Sequence, residues 1–395
     1  MQLNLQSSLL TSLDFNKKKD FKKPSSWPDI RKNTKANSIR LLADTRYPLG
    51  FAATVTGGYS VDIDGEHYDD YNSQAQFSME DWDDYTSTEG DSIDYPENAT
   101  KAHIIDIYPQ TSGNNITAFS CARVAASGNE EQGVLWAHLT LQNYILLNKF
   151  LGSESTYYNS QLLAVTSKNN KIYVSASGFN ESFYKASQLE YVPSFIGESS
   201  DTVYNTTGLF RECSKIKEIS LQNMKITSCY GMFNACHSLE NIKCKNVNVV
   251  PTHSSLNSMY YENFKLKALM PTTYTSSIQR MSTYAVYCKD LEDTVIDARG
   301  ATSLKNIDCY SNGTYFAAGI KGLRVSNEAP FDFSSSPQIN VSYTGMDRSA
   351  LVQLFNDLPS VTGSQTLSCT GCAGTADLTQ DDKDIALNKG WSLTL

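Results

Sequence analysis

Cysteine, histidine and carboxylate spacing sets which reactions this sequence could support. Cys369 and Cys372 form a lone Cys-x-x-Cys. A zinc site needs two more ligands, and the nearest histidine in sequence, His253, lies far upstream. The pair therefore reads as two small residues around a turn at Gly371, and no metal is expected. Cys236 and His237 are adjacent, and neighbours on one turn tend to point apart, which does not suit a nucleophile and its base. His67, His103, His138, His237 and His253 are scattered singly and read as structural or solvent-facing. Asp83-Asp84 could serve a glycosidase, which needs two carboxylates at a set separation, but reads more simply as a solvated loop. Asp62-Ile63-Asp64-Gly65 has the residue types that open a calcium loop. The twelfth position, where a bidentate Glu is required, falls near Asn72-Ser73 instead. Asp64-Gly65 is then the tight turn of a hairpin. There is no P-loop, Gly-x-Ser-x-Gly elbow, His-Glu-x-x-His or Rossmann glycine fingerprint. The expectation is a protein that is not an enzyme, with no catalytic residue and no cofactor.

Aromatic rings are the better candidates for function. The chain has 23 tyrosines, and Tyr260, Tyr261, Tyr274, Tyr284, Tyr287, Tyr310, Tyr315 and Phe316 crowd its second half. Some must pack inward. The others could form a contact surface for a glycan or a protein, because rings supply area at low entropic cost. The net charge of -9 argues against a nucleic-acid binder. Lys17, Lys18, Lys19, Lys22 and Lys23 make a local basic cluster, whereas 62–94 is rich in Asp and Glu. No run approaches the roughly 20 apolar residues of a membrane span. Residues 1–15 lack a basic stretch before a hydrophobic run, so production in the cytoplasm is expected. The nine cysteines follow no disulfide framework.

The elements that must carry these residues follow from patterning. Residues 1–35 read as an arm, with Leu9 and Leu10 in an apolar-periodic stretch, the lysines after it, and Trp27 available to pin it to a neighbour. Residues 36–128 show short strands at 38–42, 50–56, 59–63, 102–108 and 116–123, which predicts a β-sandwich-like domain. Residues 129–185 are transitional. Residues 336–395 read as an α/β C-terminal cap, with helices over 347–358 and from Thr379, and a closing strand at 391–395.

Between them, 186–335, lies a repeat. Gly208, Phe210, Cys213, Ile216, Ile219, Leu221, Met224 and Ile226 match Gly231, Phe233, Cys236, Leu239, Ile242, Cys244, Val247 and Val249, all 23 positions apart. That period lies in the leucine-rich-repeat range. One coil cannot bury its inward face alone, so coils stack and share a core. Later coils keep the leucine spacing but lose the period: Leu266-x-x-Leu269, Leu304-x-x-Ile307 and Ile320-x-x-Leu323. Leu189-x-x-Val192 is a candidate first coil. Cys213 and Cys236 would lie in adjacent coils, about 5 Å apart, close enough for a disulfide, but are read as two buried thiols acting as small hydrophobes.

The Phe-x-x-Cys-x-x-Leu-x-x-Ile pattern, over about 45 residues, resembles BspA-type leucine-rich repeats of bacterial surface proteins and of phages of gut bacteria. The run from Met346 to Pro359, the segment Ala386 to Trp391, Trp27-Pro-Asp-Ile-Arg-Lys32 and the stretch Gly113 to Phe119 resemble structural proteins of such phages. The resemblance implies a mixed α/β fold with a short degenerate leucine-rich-repeat solenoid, and a virion location after assembly in the host cytoplasm. It implies a fibre, appendage or receptor-binding component, attached to other virion proteins through Leu9, Leu10, Lys17, Lys18, Lys19 and Trp27. A homo-oligomer, trimer or dimer, is the class expectation. The rival readings are a BspA-type surface adhesin and a carbohydrate-cleaving depolymerase.

Overall fold

The computed structural model describes residues 38–44, 49–72, 76–79, 93–94, 101–112, 114, 116–120, 146–148, 162–166, 171–174, 180, 183–184, 189–190, 192, 194–334 and 337–395. The arm over 1–35, most of the acidic stretch with Asp83-Asp84, the apolar run at 134–145 and His138 lie outside the described residues. The described chain is mixed but strand-rich, with two α-helices and several sheets.

The first part is antiparallel at every described pairing but one. Its strands are β1 (Ile39–Asp44), β2 (Leu49–Val55), β3 (Tyr59–Ile63), β4 (Glu66–Tyr71), β5 (Gln76–Met79), β6 (Ile93–Asp94), β7 (Lys101–Pro109), β8 (Ile116–Ser120), β9 (Leu146–Asn148) and β10 (Leu162–Thr166). One sheet runs β10-β1-β7-β3-β4 with β6 on β7, and the other runs β5-β2-β8-β9. Asp64 and Gly65 both take positive φ, 51° and 94°, and join β3 to β4 as the two-residue turn that right-handed strand twist favours. Alternate residues Ile39, Ile105, Ile107, Val61 and Ile63 put a buried apolar row on one face, and Arg40, Asp62 and Asp106 between them are buried as well. A charged row crosses the same strands, pairing Arg40 with Asp106, Asp106 with Asp62, and Asp62 with His67. Arg40 donates from Nε to Asp106 at 2.6 Å and from Nη2 to its second oxygen. That fork satisfies a charge pair that is almost wholly buried.

The second part is built from parallel strands. These are β11 (Lys171–Tyr173), β12 (Ser194–Ile196), β13 (Val203–Asn205), β14 (Glu218–Ser228), β15 (Asn241–Val249), β16 (Arg280–Met281), β17 (Thr294–Ala298), β18 (Asn306–Asp308), β19 (Ile320–Val325), β20 (Ile339–Asn340), β21 (Thr366–Ser368) and β22 (Ser392–Thr394). β14 and β15 pair in parallel with Ile219 opposite Ile242, Leu221 opposite Cys244, Met224 opposite Val247 and Ile226 opposite Val249. The residues that correspond in sequence are thus spatial neighbours. Leu189 and Val192 are buried and lead into β12, which pairs with β14 in parallel, while β11 pairs with β12 one layer earlier.

Opposite the strands, each coil turns through a segment that is also hydrogen-bonded to the next. Phe210 N donates to Met232 O, Phe233 N to Met259 O, Tyr260 N to Tyr284 O and Tyr287 N to Tyr310 O, at 2.9 to 3.1 Å. Two left-handed residues shape each turn. The first is Gly208, Gly231, Ser258 or Thr283 (φ 59°, 55°, 55° and 51°), and the second is Glu212, Ala235, Glu262 or Tyr287 (φ 65°, 59°, 58° and 63°). Between them sits one inward ring per coil. Phe183, Phe210, Phe233 and Tyr260 stack with centroids 5.0, 6.2 and 5.9 Å apart, and Tyr284 ends the column edge-on at 5.4 Å.

After the second left-handed residue comes a buried donor. Cys213 Sγ donates to Phe183 O (3.0 Å), Cys236 Sγ to Phe210 O (2.9 Å), Asn263 Nδ2 to Phe233 O (2.8 Å) and Cys288 Sγ to Tyr260 O (2.9 Å). Cys213 and Cys236 are buried in the core as expected, and each thiol also donates a hydrogen bond. Each thiol satisfies a buried carbonyl of the preceding coil, which is why an asparagine can replace it. Both cysteines are free.

The C-terminal region continues the stack. β16, β18, β20, β21 and β22 form one five-stranded sheet, parallel at every pairing. Helix α1 (Arg348–Asp357) links β20 to β21, and α2 (Gln380–Leu387) links β21 to β22. Strands expected to close the stack as a cap extend the sheet of the coils before them. Asp347 caps α1 by accepting from Ala350 N, and Thr379 with Asp382 closes a reciprocal capping box on α2.

Candidate aromatic contact site

The turn wall sorts the tyrosines by direction. Tyr260 and Tyr284 are fully buried. Tyr260 Oη accepts from Met270 N at 3.0 Å, and Tyr274 and Tyr284 share a hydroxyl hydrogen bond of 3.1 Å. Burial pushes the Tyr274 hydroxyl up to about 12. Tyr260 and Tyr284 are therefore corrected from contact residues to core. Tyr260 succeeds Phe233 in the inward column, and Tyr284 meets it edge-on from one place before Ala285, which holds the column position of its coil. Tyr274 supports them from a coil that forms no regular strand between β15 and β16.

Tyr261, Tyr287, Tyr310 and Tyr315 are brought together on the outside. Tyr287 lies at the centre, 5.8 Å from Tyr261, 6.1 Å from Tyr310 and 5.9 Å from Tyr315, with its ring tilted against each. Tyr315 sits in an exposed loop held by Asn312, whose Oδ1 accepts from Thr314 N (2.9 Å) and Tyr315 N (3.0 Å). Tyr315 is 37% exposed, the most open ring of this ledge, and its sequence neighbour Phe316 is 40% exposed.

Three members, His237, Phe264 and Glu262, were not read as contact residues from the sequence. His237 stacks on Phe264 at 5.0 Å, and Phe264 stacks on Tyr315 at 5.0 Å. His237 and Phe264 each follow the buried donor of their coil, Cys236 and Asn263, so the stack occupies equivalent positions. Glu262 Oε2 lies 3.5 Å from His237 Nε2. Tyr261 is raised to about 12, first by desolvation and then by its hydrogen bond to Glu262, so it stays a neutral donor. The sequence signal that could have found this site is the donor position. Outward residues flank it on both sides.

The groups considered for chemistry are arranged otherwise. The Cys236 thiol turns inward to Phe210 O while His237 stacks outward. Gly371 takes φ 65° between Cys369 and Cys372. Cys372 Sγ donates to Val341 O at 3.0 Å, and burial raises the Cys369 thiol to about 12. Asp62 accepts from Tyr108 Oη at 2.7 Å and faces His67 at 3.4 Å. Among the described residues, no group of three or more His, Cys, Asp or Glu side chains could hold a metal ion. No described helix is long and apolar enough to cross a membrane. The attachment residues Leu9, Leu10, Lys17, Lys18, Lys19 and Trp27 lie outside the described residues.

No protein-family model matches the chain, and neither the curated proteins nor the solved structures contain a match to it.

Proposed function

We propose that the chain is a structural protein of a bacteriophage particle, a fibre, appendage or receptor-binding component whose parallel coils are a short, degenerate leucine-rich-repeat solenoid behind a β-sandwich-like domain. The observation that carries a binding role is the outward ledge of Tyr261, Phe264, Tyr287, Tyr310 and Tyr315 on a hydrogen-bonded wall. Rings held on successive layers, half-buried at Tyr261, Phe264, Tyr287 and Tyr310 and exposed at Tyr315, offer contact area with little entropy left to lose on binding. In-register parallel stacking at the 23-residue offset supports the solenoid reading. The virion location rests on the sequence resemblance of the segments around Trp27, Gly113, Met346 and Ala386. In this reading the arm with Lys17, Lys18 and Lys19 joins other virion proteins, the ledge faces outward, and the chain assembles as a trimer or dimer.

Mass spectrometry of purified particles tests it. The chain is expected at a fixed ratio to the major capsid protein. Its absence from particles, with recovery in the bacterial envelope fraction, refutes the virion reading.

A further inference from the structure

We propose that Asn312 is a self-modifying site: the backbone nitrogen of Gly313 attacks its side-chain amide, and the loop that carries Tyr315 and Phe316 converts to aspartate and isoaspartate. The chemistry is independent of what the ledge contacts. Only its consequence for binding rests on the reading of the ledge as a contact surface.

The loop is an excursion from its coil. Ser311 N donates to Ser342 O at 2.8 Å, and Ala317 N donates to Tyr343 O at 2.9 Å. Those acceptors are consecutive residues of the next coil, so 312–316 must loop outward between two coil-to-coil hydrogen bonds. Asn312 holds the excursion together. Its Oδ1 accepts from Thr314 N at 2.9 Å and from Tyr315 N at 3.0 Å, and its backbone oxygen accepts from Tyr315 N at 3.2 Å. Two backbone donors at that distance, aimed at one carbonyl oxygen, are the arrangement of an oxyanion hole. The nucleophile and the leaving group are both unhindered. Gly313 is exposed and has no side chain to shield its nitrogen. Among the described residues, neither Gly313 N nor Asn312 Nδ2 donates a hydrogen bond.

Three other asparagines of the coils supply the contrast. Asn205 Oδ1 accepts from Thr207 N at 3.0 Å, Asn257 Oδ1 from Ser282 N at 3.0 Å and Asn340 Oδ1 from Ser342 N at 3.1 Å. In each of them the following nitrogen is engaged: Thr206 N with Ser228 O (2.7 Å), Ser258 N with Ser282 O (2.9 Å) and Val341 N with Ser368 O (2.9 Å). Such a nitrogen cannot turn to the neighbouring Cγ without breaking a bond between coils. Gly313 N carries no such bond. Hydroxide removes its proton, and the nitrogen bonds to Asn312 Cγ. Negative charge develops on Oδ1, where the Thr314 and Tyr315 N–H groups already point. The intermediate collapses by breaking the Cγ–Nδ2 bond, and ammonia leaves with a proton from water. Water then opens the cyclic imide. Attack at Cγ leaves aspartate, whereas attack at the main-chain carbonyl routes the backbone through the side chain as isoaspartate. Either product places a carboxylate beside the Tyr315 loop, and the second also lengthens its backbone.

The test incubates the full chain in mildly alkaline buffer, folded and unfolded in urea, and follows each asparagine by peptide mapping with mass spectrometry. Methyl transfer by an isoaspartate-specific methyltransferase gives a second readout. Oxyanion donors accelerate acyl chemistry roughly 100-fold or more when preorganised. The folded chain is therefore expected to convert position 312 about ten-fold faster than the unfolded chain, while Asn205, Asn257 and Asn340 stay amides. Gly313→Ala should slow the conversion several-fold and leave the fold intact, because a Cβ there meets nothing closer than Tyr343 Cε1 at 4.0 Å. No conversion at position 312, a folded rate equal to or below the unfolded one, or equal conversion at Asn205 overturns the proposal. Both readouts need no ligand and no particle, so failure here and failure of the contact-surface or virion reading are distinguishable.

Discussion

Replacing Gly231 with alanine isolates the conformational demand of one turn. Its φ is 55°, and a Cβ built there meets nothing closer than Arg211 Cδ and Asn234 Cβ, both at 3.8 Å. No clash contributes, so the cost is that of the left-handed region for an L-residue, about 1–2 kcal/mol. Alanine also restricts the unfolded chain, which returns about 0.4–1 kcal/mol. The net loss is about 1 kcal/mol. Gly319 is the contrasting case, because its Cβ would lie 1.3 Å from Leu291 O. No side-chain adjustment relieves an overlap with backbone, so the loss should exceed about 4 kcal/mol or abolish folding. Ser258 holds the same turn position as Gly231 in the next coil, at φ 55°, with its hydroxyl 2.7 Å from that of Thr283. Ser258→Gly relieves the backbone by about 1–2 kcal/mol, loses a hydrogen bond of about 1 kcal/mol and frees the unfolded chain by a similar amount, so it should be close to neutral. Urea unfolding followed by circular dichroism measures all three as shifts of the midpoint at constant slope. Equal losses for Gly231→Ala and Gly319→Ala, or none for Gly231→Ala, would refute the assignment of these turns.

The other expectations concern the donors, the rings and the cap. Cys236→Ala removes the thiol donor to the buried Phe210 carbonyl, which still accepts from Cys213 N at 3.0 Å, and should cost about 0.5–1.5 kcal/mol, whereas Cys236→Ser keeps a donor and should cost less than half of that; equal losses in urea would remove the donor row from the argument. Burial holds the Cys229 and Cys288 thiols near 12, so thiol-specific labelling at pH 8 followed by peptide mapping should modify neither until the chain unfolds. Tyr284→Phe breaks the hydroxyl pair with Tyr274 and should destabilise by about 1 kcal/mol, whereas Tyr287→Phe should change stability by less than about 0.5 kcal/mol. Asp382 is held near 2, first by its hydrogen bonds from Arg348 and then by the Thr379 backbone. A depressed carboxylate stabilises the fold above its unfolded pKa of about 3.9 and loses that contribution as pH falls toward 2. Arg348→Ala should therefore flatten the acid limb of a pH titration of stability between about pH 4 and pH 2 and leave its neutral region much less affected.

Part of this arrangement is legible in the residues and part is not, for identifiable reasons. The hairpin at Asp64-Gly65, the two capped helices and the pairing of the two best repeats follow from local rules, because turn chemistry, capping and a fixed offset act within one coil. The later coils fade because the rules tolerate substitution. Ser258 and Thr283 take the turn position of Gly208 and Gly231 and accept the positive φ. Asn263 takes the donor position of Cys213, Cys236 and Cys288 with a different atom and the same acceptor. Tyr260 takes the column position of Phe210 and Phe233 while finding a partner for its hydroxyl, and in the next coil Ala285 takes it with Tyr284 one place earlier. A search for identical residues at one offset loses such a repeat, although the hydrogen bonds on the turn side recur from coil to coil.

The same substitutions explain why tyrosine alone is a poor guide to the site. What decides whether a ring faces core or solvent is its offset from the buried donor. Phe210, Phe233 and Tyr260 each lie three residues before theirs and point inward, where the next coil covers them. Tyr261 lies two before Asn263, Tyr287 one before Cys288, and His237 and Phe264 one after Cys236 and Asn263. In each case the left-handed residue or its neighbour turns the side chain out of the stack. The rule has a consequence for Ala235, which holds the place of Glu262 and Tyr287 one and two coils earlier, with φ 59°. A ring introduced as Ala235→Tyr should extend the ledge toward His237 without entering the core, at a cost in urea of less than about 1 kcal/mol. A loss of several kcal/mol would show that this position faces inward, and the offset rule would fail with it.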